Sequence, residues 1–184
     1  LGVEPLTLIA YLARLGTSLP IEPVTDRAAL VETFDWSRFN KANALFDEAD
    51  LIALNTKILH HLDFSAVQHR LPEGMTEADW LLLRGNIDRL EDIASVWKIV
   101  TGPVNSVIED AEFIETAKAI LDALPWADDI WKRWTGVLKE RTGRKGKELF
   151  LPLRLALTGE PHGPEMAPLL VRIGREAALE RLTV

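Results

Sequence analysis

Apolar residues recur three and four positions apart along nearly all of this 184-residue chain, and proline and glycine cut the runs. Alternating β-branched segments bounded by turn signals are scarce. A 3.6-residue period without a competing two-residue period restricts the chain to an all-α fold of short helices packed through one face each. The apolar fraction of 47% supplies a core, and 27% charged residues leave the chain outside the disordered class.

Punctuation sets the expected elements. Pro5 opens a first helix whose face is Leu6, Ile9, Ala10 and Ala13, with Gly16 at its C-cap. Pro20 and Pro23 mark a loop, Thr25 caps a short helix through Val31, and a turn spans residues 34–40. From Asp47, the spacing of Leu51, Ile52, Leu54, Ile58, Leu59 and Leu62 predicts a helix of about four turns, with Asn55 and Lys57 on other faces. After Pro72-Glu73-Gly74, Thr76 is a natural N-cap, and helix resumes over residues 88–96. Thr101-Gly102-Pro103 is the strongest internal break and suggests a subdomain boundary near residue 105. Further helices follow at 110–124, 128–141, 147–157, 166–173 and 175–182.

A conventional active site is not legible. Without cysteine there is no thiol nucleophile, disulfide or Cys-ligated zinc, which fits a reducing cytoplasm. His60 and His61 diverge by about 100° on a helix, and His69 and His162 lack carboxylates at ligand spacing. Asp128-Asp129 and Glu91-Asp92 suit helix N-termini or solvent. Phosphate-binding and nucleophile-elbow glycine motifs are missing. No apolar run approaches the roughly 20 residues of a membrane span, and no signal peptide opens the chain. The start at Leu1 without an initiator Met suggests a fragment or processed product. Of the six tryptophans, Trp131 and Trp134 share a helix face and are expected to pack.

The net charge of −7 argues against a polyanionic partner until it is partitioned. Residues 130–154 hold eight basic side chains and two acidic ones, a local +6, so the remainder carries −13. Such a basic segment around a glycine-flanked turn is either a phosphate-contacting patch or a solvated helix face.

Three ordered blocks carry a resemblance: T-G-R-K-G-K-E-L-F-L-P-L-R-L-A-L-T-G at 142–159, G-P-E-M-A-P-L-L at 163–170 and I-G-R-E-A-A-L-E-R-L at 173–182. They resemble the C-terminus of bacterial glutamyl-tRNA synthetases. Upstream, A-Y-L-A-R-L-G at 10–16, F-D-W-S-R-F-N-K-A-N-A-L-F-D at 34–47 and L-N-T-K-I-L at 54–59 are similar to the segment that follows the catalytic domain in that family. The likeness covers almost the whole chain and is weakest over 63–135.

The resemblance implies the tRNA-contacting end of a class I aminoacyl-tRNA synthetase. ATP and Mg belong to a catalytic domain whose HIGH-like and KMSKS-like signatures are absent here, so no cofactor is expected in this fragment. It further implies a helical stem-contact region at 1–62, one anticodon-binding subdomain at 63–105 and a second at 106–184. Arg154 corresponds to an anticodon-associated arginine, and a guanidinium suits a base edge or face. Gly163, Pro164 and Met166 match positions lining the same pocket. Arg141, Arg144, Lys145 and Lys147 would meet the RNA backbone. Leu151 stands where some relatives carry glutamine, and Asn86 near the place of an arginine in relatives strict for tRNA(Glu), which leaves tRNA(Gln) open as a second partner. A cytoplasmic monomer without membrane contact is expected. The alternative is a helical protein-interaction module whose basic turn meets an acidic partner.

Overall fold

A computed structural model describes residues 2–40 and 43–184; Leu1, and Lys41 and Ala42 of the 34–47 block, lie outside the described residues. Among those residues the fold is helical, with one isolated antiparallel bridge between Thr17 and Phe39. The chain divides into two compact units, 1–94 and 95–184.

The N-terminal unit contains α1 (Pro5–Arg14), α2 (Arg27–Glu32), α3 (Glu48–Leu59), α4 (Phe64–Val67) and α5 (Glu77–Leu83), with 3-10 turns between them. Helix α1 packs on α3 and α2, and α4 packs on α5. Asp47 caps α3 by accepting from the Ala49 N–H at 2.8 Å, and Thr76 with Asp79 forms a reciprocal capping box on α5. Trp80 is fully buried, and its indole N–H donates to the Leu62 carbonyl at 2.9 Å.

Several expectations for this unit are corrected. Asn55 lies in the core of α3 at 0% exposure, although a face away from the core was expected. Its Oδ1 accepts from the Glu4 N–H at 2.8 Å and the Thr7 hydroxyl at 3.0 Å, while Nδ2 donates to the Asp88 carbonyl at 2.7 Å. This anchor turns α1 so that Thr7, Ala10 and Tyr11 face inward and Ile9 outward. The polar pairing outweighs the apolar period because a buried amide left unsatisfied is expensive. The cap of α2 is Asp26, which accepts from the Ala28 N–H, and Thr25 does not serve. Leu15 takes the C-cap of α1, with Gly16 just beyond it. The helix expected over 88–96 starts later: a 3-10 turn (Leu90–Asp92) leads into α6 (Ile93–Thr101), because the Asp92 carboxylate turns back to accept from the Arg89 N–H.

The C-terminal unit is built from α7 (Ala111–Ala123), α8 (Ile130–Thr142), α9 (Lys147–Thr158), α10 (Met166–Ile173) and α11 (Arg175–Arg181). Helix α8 packs on α7, α9 and α10, and α11 packs on α7, α9 and α10. Trp134 sits at 0% exposure among these helices and donates its indole N–H to the Ala117 carbonyl at 2.8 Å. Helix α9 runs through Pro152, which removes one backbone donor from its interior. It ends at Gly159, where φ is +75° and a Cβ would stand 2.6 Å from the Asn105 carbonyl oxygen. Only glycine lets the linker approach the end of α9 that closely.

Candidate nucleic-acid interface

Helix α9 organises the candidate site. Lys147, Phe150, Leu151 and Arg154 follow the i, i+3, i+4, i+7 spacing of one helix face, while Leu149, Leu153, Ala156 and Leu157 point into the core. Basic residues mark both ends of that face, Lys147 just after the 142–146 turn and Arg154 before the 160–165 loop.

Arg154 donates from Nη2 to the Pro164 carbonyl at 2.8 Å and so holds the loop. Its Nη1 is buried with no hydrogen-bond partner. Burial pushes the guanidinium below the ordinary arginine value, since no carboxylate compensates for the lost water. At Gly163, φ is +140° and a Cβ would stand 3.5 Å from Nη1, so bare backbone lies beside the unpaired donor. The Thr158 hydroxyl accepts from the Glu160 N–H at 3.1 Å and donates to the Arg154 carbonyl at 2.8 Å, which fixes the start of the loop. Glu160, Pro161, His162 and Gly163 are exposed, whereas Pro164 and Met166 are buried. Met166, at 6% exposure, anchors the start of α10 and presents little side chain to solvent.

The basic turn separates into two kinds of cation. Arg144 donates from Nη2 to Asp110 Oδ2, and its guanidinium lies 4.1 Å from the Phe113 ring centroid. Arg141, Lys145 and Lys147 are exposed and make no ion pair or side-chain hydrogen bond among the described residues. Asn86 belongs to the N-terminal unit, exposed on a 3-10 turn (Arg84–Asn86) with Nδ2 3.5 Å from the Leu83 carbonyl. The structure thus brings Arg154, Gly163 and Pro164 together, with Met166 just beyond, and places the basic turn at the other end of α9.

Two features escaped the reading of the sequence. Phe150 is 44% exposed, and its ring is 6.1 Å from that of Trp131 at 32°; Trp131 meets Trp134 edge-on at 5.7 Å. The carboxylate that engages Arg144 lies 34 residues upstream. Phe150's spacing from Lys147 and Arg154 was the available signal for the first. No local signal marks the second. No group of three or more potential metal ligands occurs among the described residues, and none of their helices is long and apolar enough to cross a membrane.

Comparison with known proteins gives a consistent result. The anticodon binding domain family model matches residues 82–184. Glutamate–tRNA ligase 1 of Rhizorhabdus wittichii is 50% identical over 183 residues, covering 98% of this chain and 41% of the relative. Glutamate–tRNA ligase 2 of Erythrobacter litoralis is 49% identical over 185 residues, covering 98% and 40%. The chain therefore spans about two-fifths of the length of these curated relatives. In fold it is similar to the crystal structure of a glutamate–tRNA ligase from Elizabethkingia meningosepticum, at a TM-score of 0.73 and 20% identity, over 96% of this chain and 39% of that one. A glutamate–tRNA synthetase structure from Elizabethkingia anophelis gives a TM-score of 0.72 at 23% identity, with the same coverage.

Proposed function

The chain belongs to the anticodon binding domain family, and from that premise we propose that it is the tRNA-reading C-terminal part of a glutamate–tRNA ligase. In this reading an ATP- and Mg-dependent domain outside this chain joins glutamate to tRNA, and the residues described here select the tRNA. Three regions share the work: stem contact at 1–62, and anticodon-binding subdomains at 63–105 and 106–184. The protein acts as a cytoplasmic monomer.

The unpaired Nη1 of Arg154 beside the bare backbone of Gly163 is the observation that carries the assignment. A buried charged donor without an acceptor is costly, and a base edge that displaces the exposed Gly163 segment from beside it supplies the acceptor. Pro164 fixes the other arm of the guanidinium, so the fork is oriented before RNA arrives. Met166 and the buried Pro164 hold the loop that carries Gly163. Arg141, Lys145 and Lys147 attract the RNA backbone, and Arg144 adds the third of its side chain that stays exposed. Asn86 is assigned to the anticodon as well, and leaves tRNA(Gln) open as a second partner beside tRNA(Glu). Local attraction suffices for an unpaired loop, which is how a chain of net charge −7 binds RNA.

Titration of labelled tRNA(Glu) with the chain and with Arg154→Ala tests this. The substitution is expected to cost about 1–3 kcal/mol toward the matching anticodon and less toward a mismatched one. Failure of the unsubstituted chain to bind at low salt, or equal affinity for unrelated hairpins, overturns the reading and favours a protein-interaction module.

A further inference from the structure

A chain of three rings leads from the core of the C-terminal unit to its surface. Trp134 is fully buried, Trp131 is half-buried against it, and Phe150 lies outermost at 44% exposure. An exposed phenylalanine is ordinary by itself. This one is backed by a tryptophan whose own position is set by a ring tied through its indole N–H to α7. Its ring is therefore held in place from beneath, so ordering it on binding costs little.

The surroundings select the partner. On α9, Phe150 is three residues after Lys147 and four before Arg154, within about 6 Å of each along the helix axis. Lys147, Lys145 and Arg141 carry unpaired charge, and Arg154 has a buried donor without a partner beneath Gly163. Glu148 is the one carboxylate on the same helix. A flat apolar surface between a phosphate-attracting lysine and a base-edge donor complements a nucleotide, which has an anionic backbone and a π-face. A protein helix would find cations on both sides of a small apolar spot.

We propose that Phe150, supported by Trp131, is a stacking platform for one unpaired base of the anticodon loop, next to the base met by Arg154. This rests on the functional reading above. Base stacking on an aromatic ring is tolerant of sequence, so Phe150 contributes affinity and positioning while Arg154 discriminates.

The test uses the full chain, labelled tRNA(Glu), and tRNAs made abasic at each anticodon-loop position in turn. Phe150→Ala and Phe150→Leu are expected to weaken binding about 5- to 100-fold. Phe150→Trp retains affinity within about three-fold, and the salt dependence is unchanged because no charge is removed. For one abasic position, Phe150→Ala causes no further loss, which locates the stacked base; a fold defect would act on every RNA alike. If the unsubstituted chain binds but Phe150→Leu matches it within about two-fold, or if no abasic position removes the effect, the stacking role is overturned and the tRNA reading stands. If the unsubstituted chain does not bind, both fall together.

Discussion

Arg144 at the start of the α8–α9 turn is ion-paired with Asp110 at the N-cap of α7, across 34 residues of sequence. The same carboxylate accepts from the Phe113 N–H at 3.0 Å, and the Arg144 guanidinium covers the Phe113 ring. One aspartate thus caps a helix and fixes the basic turn. The Arg144 hydrogen bond is the main cause holding Asp110 below its ordinary value of 3.8, and the Phe113 N–H adds to it. A carboxyl depressed in the fold stabilises above its unfolded-state value and loses that contribution as pH falls through the folded one. The difference in melting temperature between the chain and Asp110→Asn is therefore expected to be full near neutrality and to close below about pH 3.8. Thermal melts across that range check it, and a gap constant to the lowest pH would show that the ion pair contributes nothing.

Lys145 on the same turn and Lys147 at the start of α9 carry exposed, unpaired charge. Under the tRNA reading each alanine substitution lowers the slope of log K against log salt by about 1 and weakens matched and mismatched anticodons alike. Arg144→Ala behaves differently: it lowers the melting temperature without RNA, because its charge already holds α7. Binding titrations at several salt concentrations, paired with melts of the free chain, separate the two kinds of cation.

Burying Asn55 joins α1, α3 and the Asp88 carbonyl through three hydrogen bonds. Asn55→Ala leaves the Glu4 N–H and the Thr7 hydroxyl without their acceptor and Asp88 without its donor. The expected loss is about 2–4 kcal/mol of unfolding free energy, measured by urea titration. Thr7→Val, which removes one member of the cluster, should cost less. A loss below about 0.5 kcal/mol for Asn55→Ala would mean that water replaces the amide.

Proline and glycine punctuation made much of the C-terminal unit legible. Helix α10 occupies the expected 166–173, and the ends of α9 fall within one residue of expectation despite Pro152. Polarity misled where a polar side chain is itself the core, as at Asn55, since periodicity assigns amides to solvent. The start of α6 was missed because the 3-10 turn before it repeats the apolar spacing of a helix. The four-residue α4 is too short to show a period. At the candidate site the ordered motif blocks singled out Arg154, Gly163 and Pro164, which the fold brings into contact range. The distant partner of Arg144 and the exposure of Phe150 depend on packing between helices, which local spacing does not encode.

Arg181 is the counterpart of Asn55 in the C-terminal unit, a buried polar side chain that satisfies helix ends. At 9% exposure it donates to the carbonyls of Ile99 at 2.8 Å, Leu157 at 3.0 Å, Gly102 at 2.9 Å and Val100 at 3.5 Å. Three of these belong to the end of α6 and the residue after it, and Leu157 to the last turn of α9; the last carbonyls of a helix have no partner within it. Burial pushes the guanidinium below its ordinary value, with Glu180 opposing the shift. The planar fork reaches several acceptors at once, whereas an ammonium is a single point of donation. Arg181→Met keeps much of the stem volume but strands the carbonyls, for an expected loss of about 2–4 kcal/mol. Arg181→Lys should be at least as damaging, because it leaves a charge buried with fewer bonds. Denaturant unfolding of both variants tests this, and a lysine variant as stable as the parent would show that charge alone, without the fork, suffices to close these helix ends.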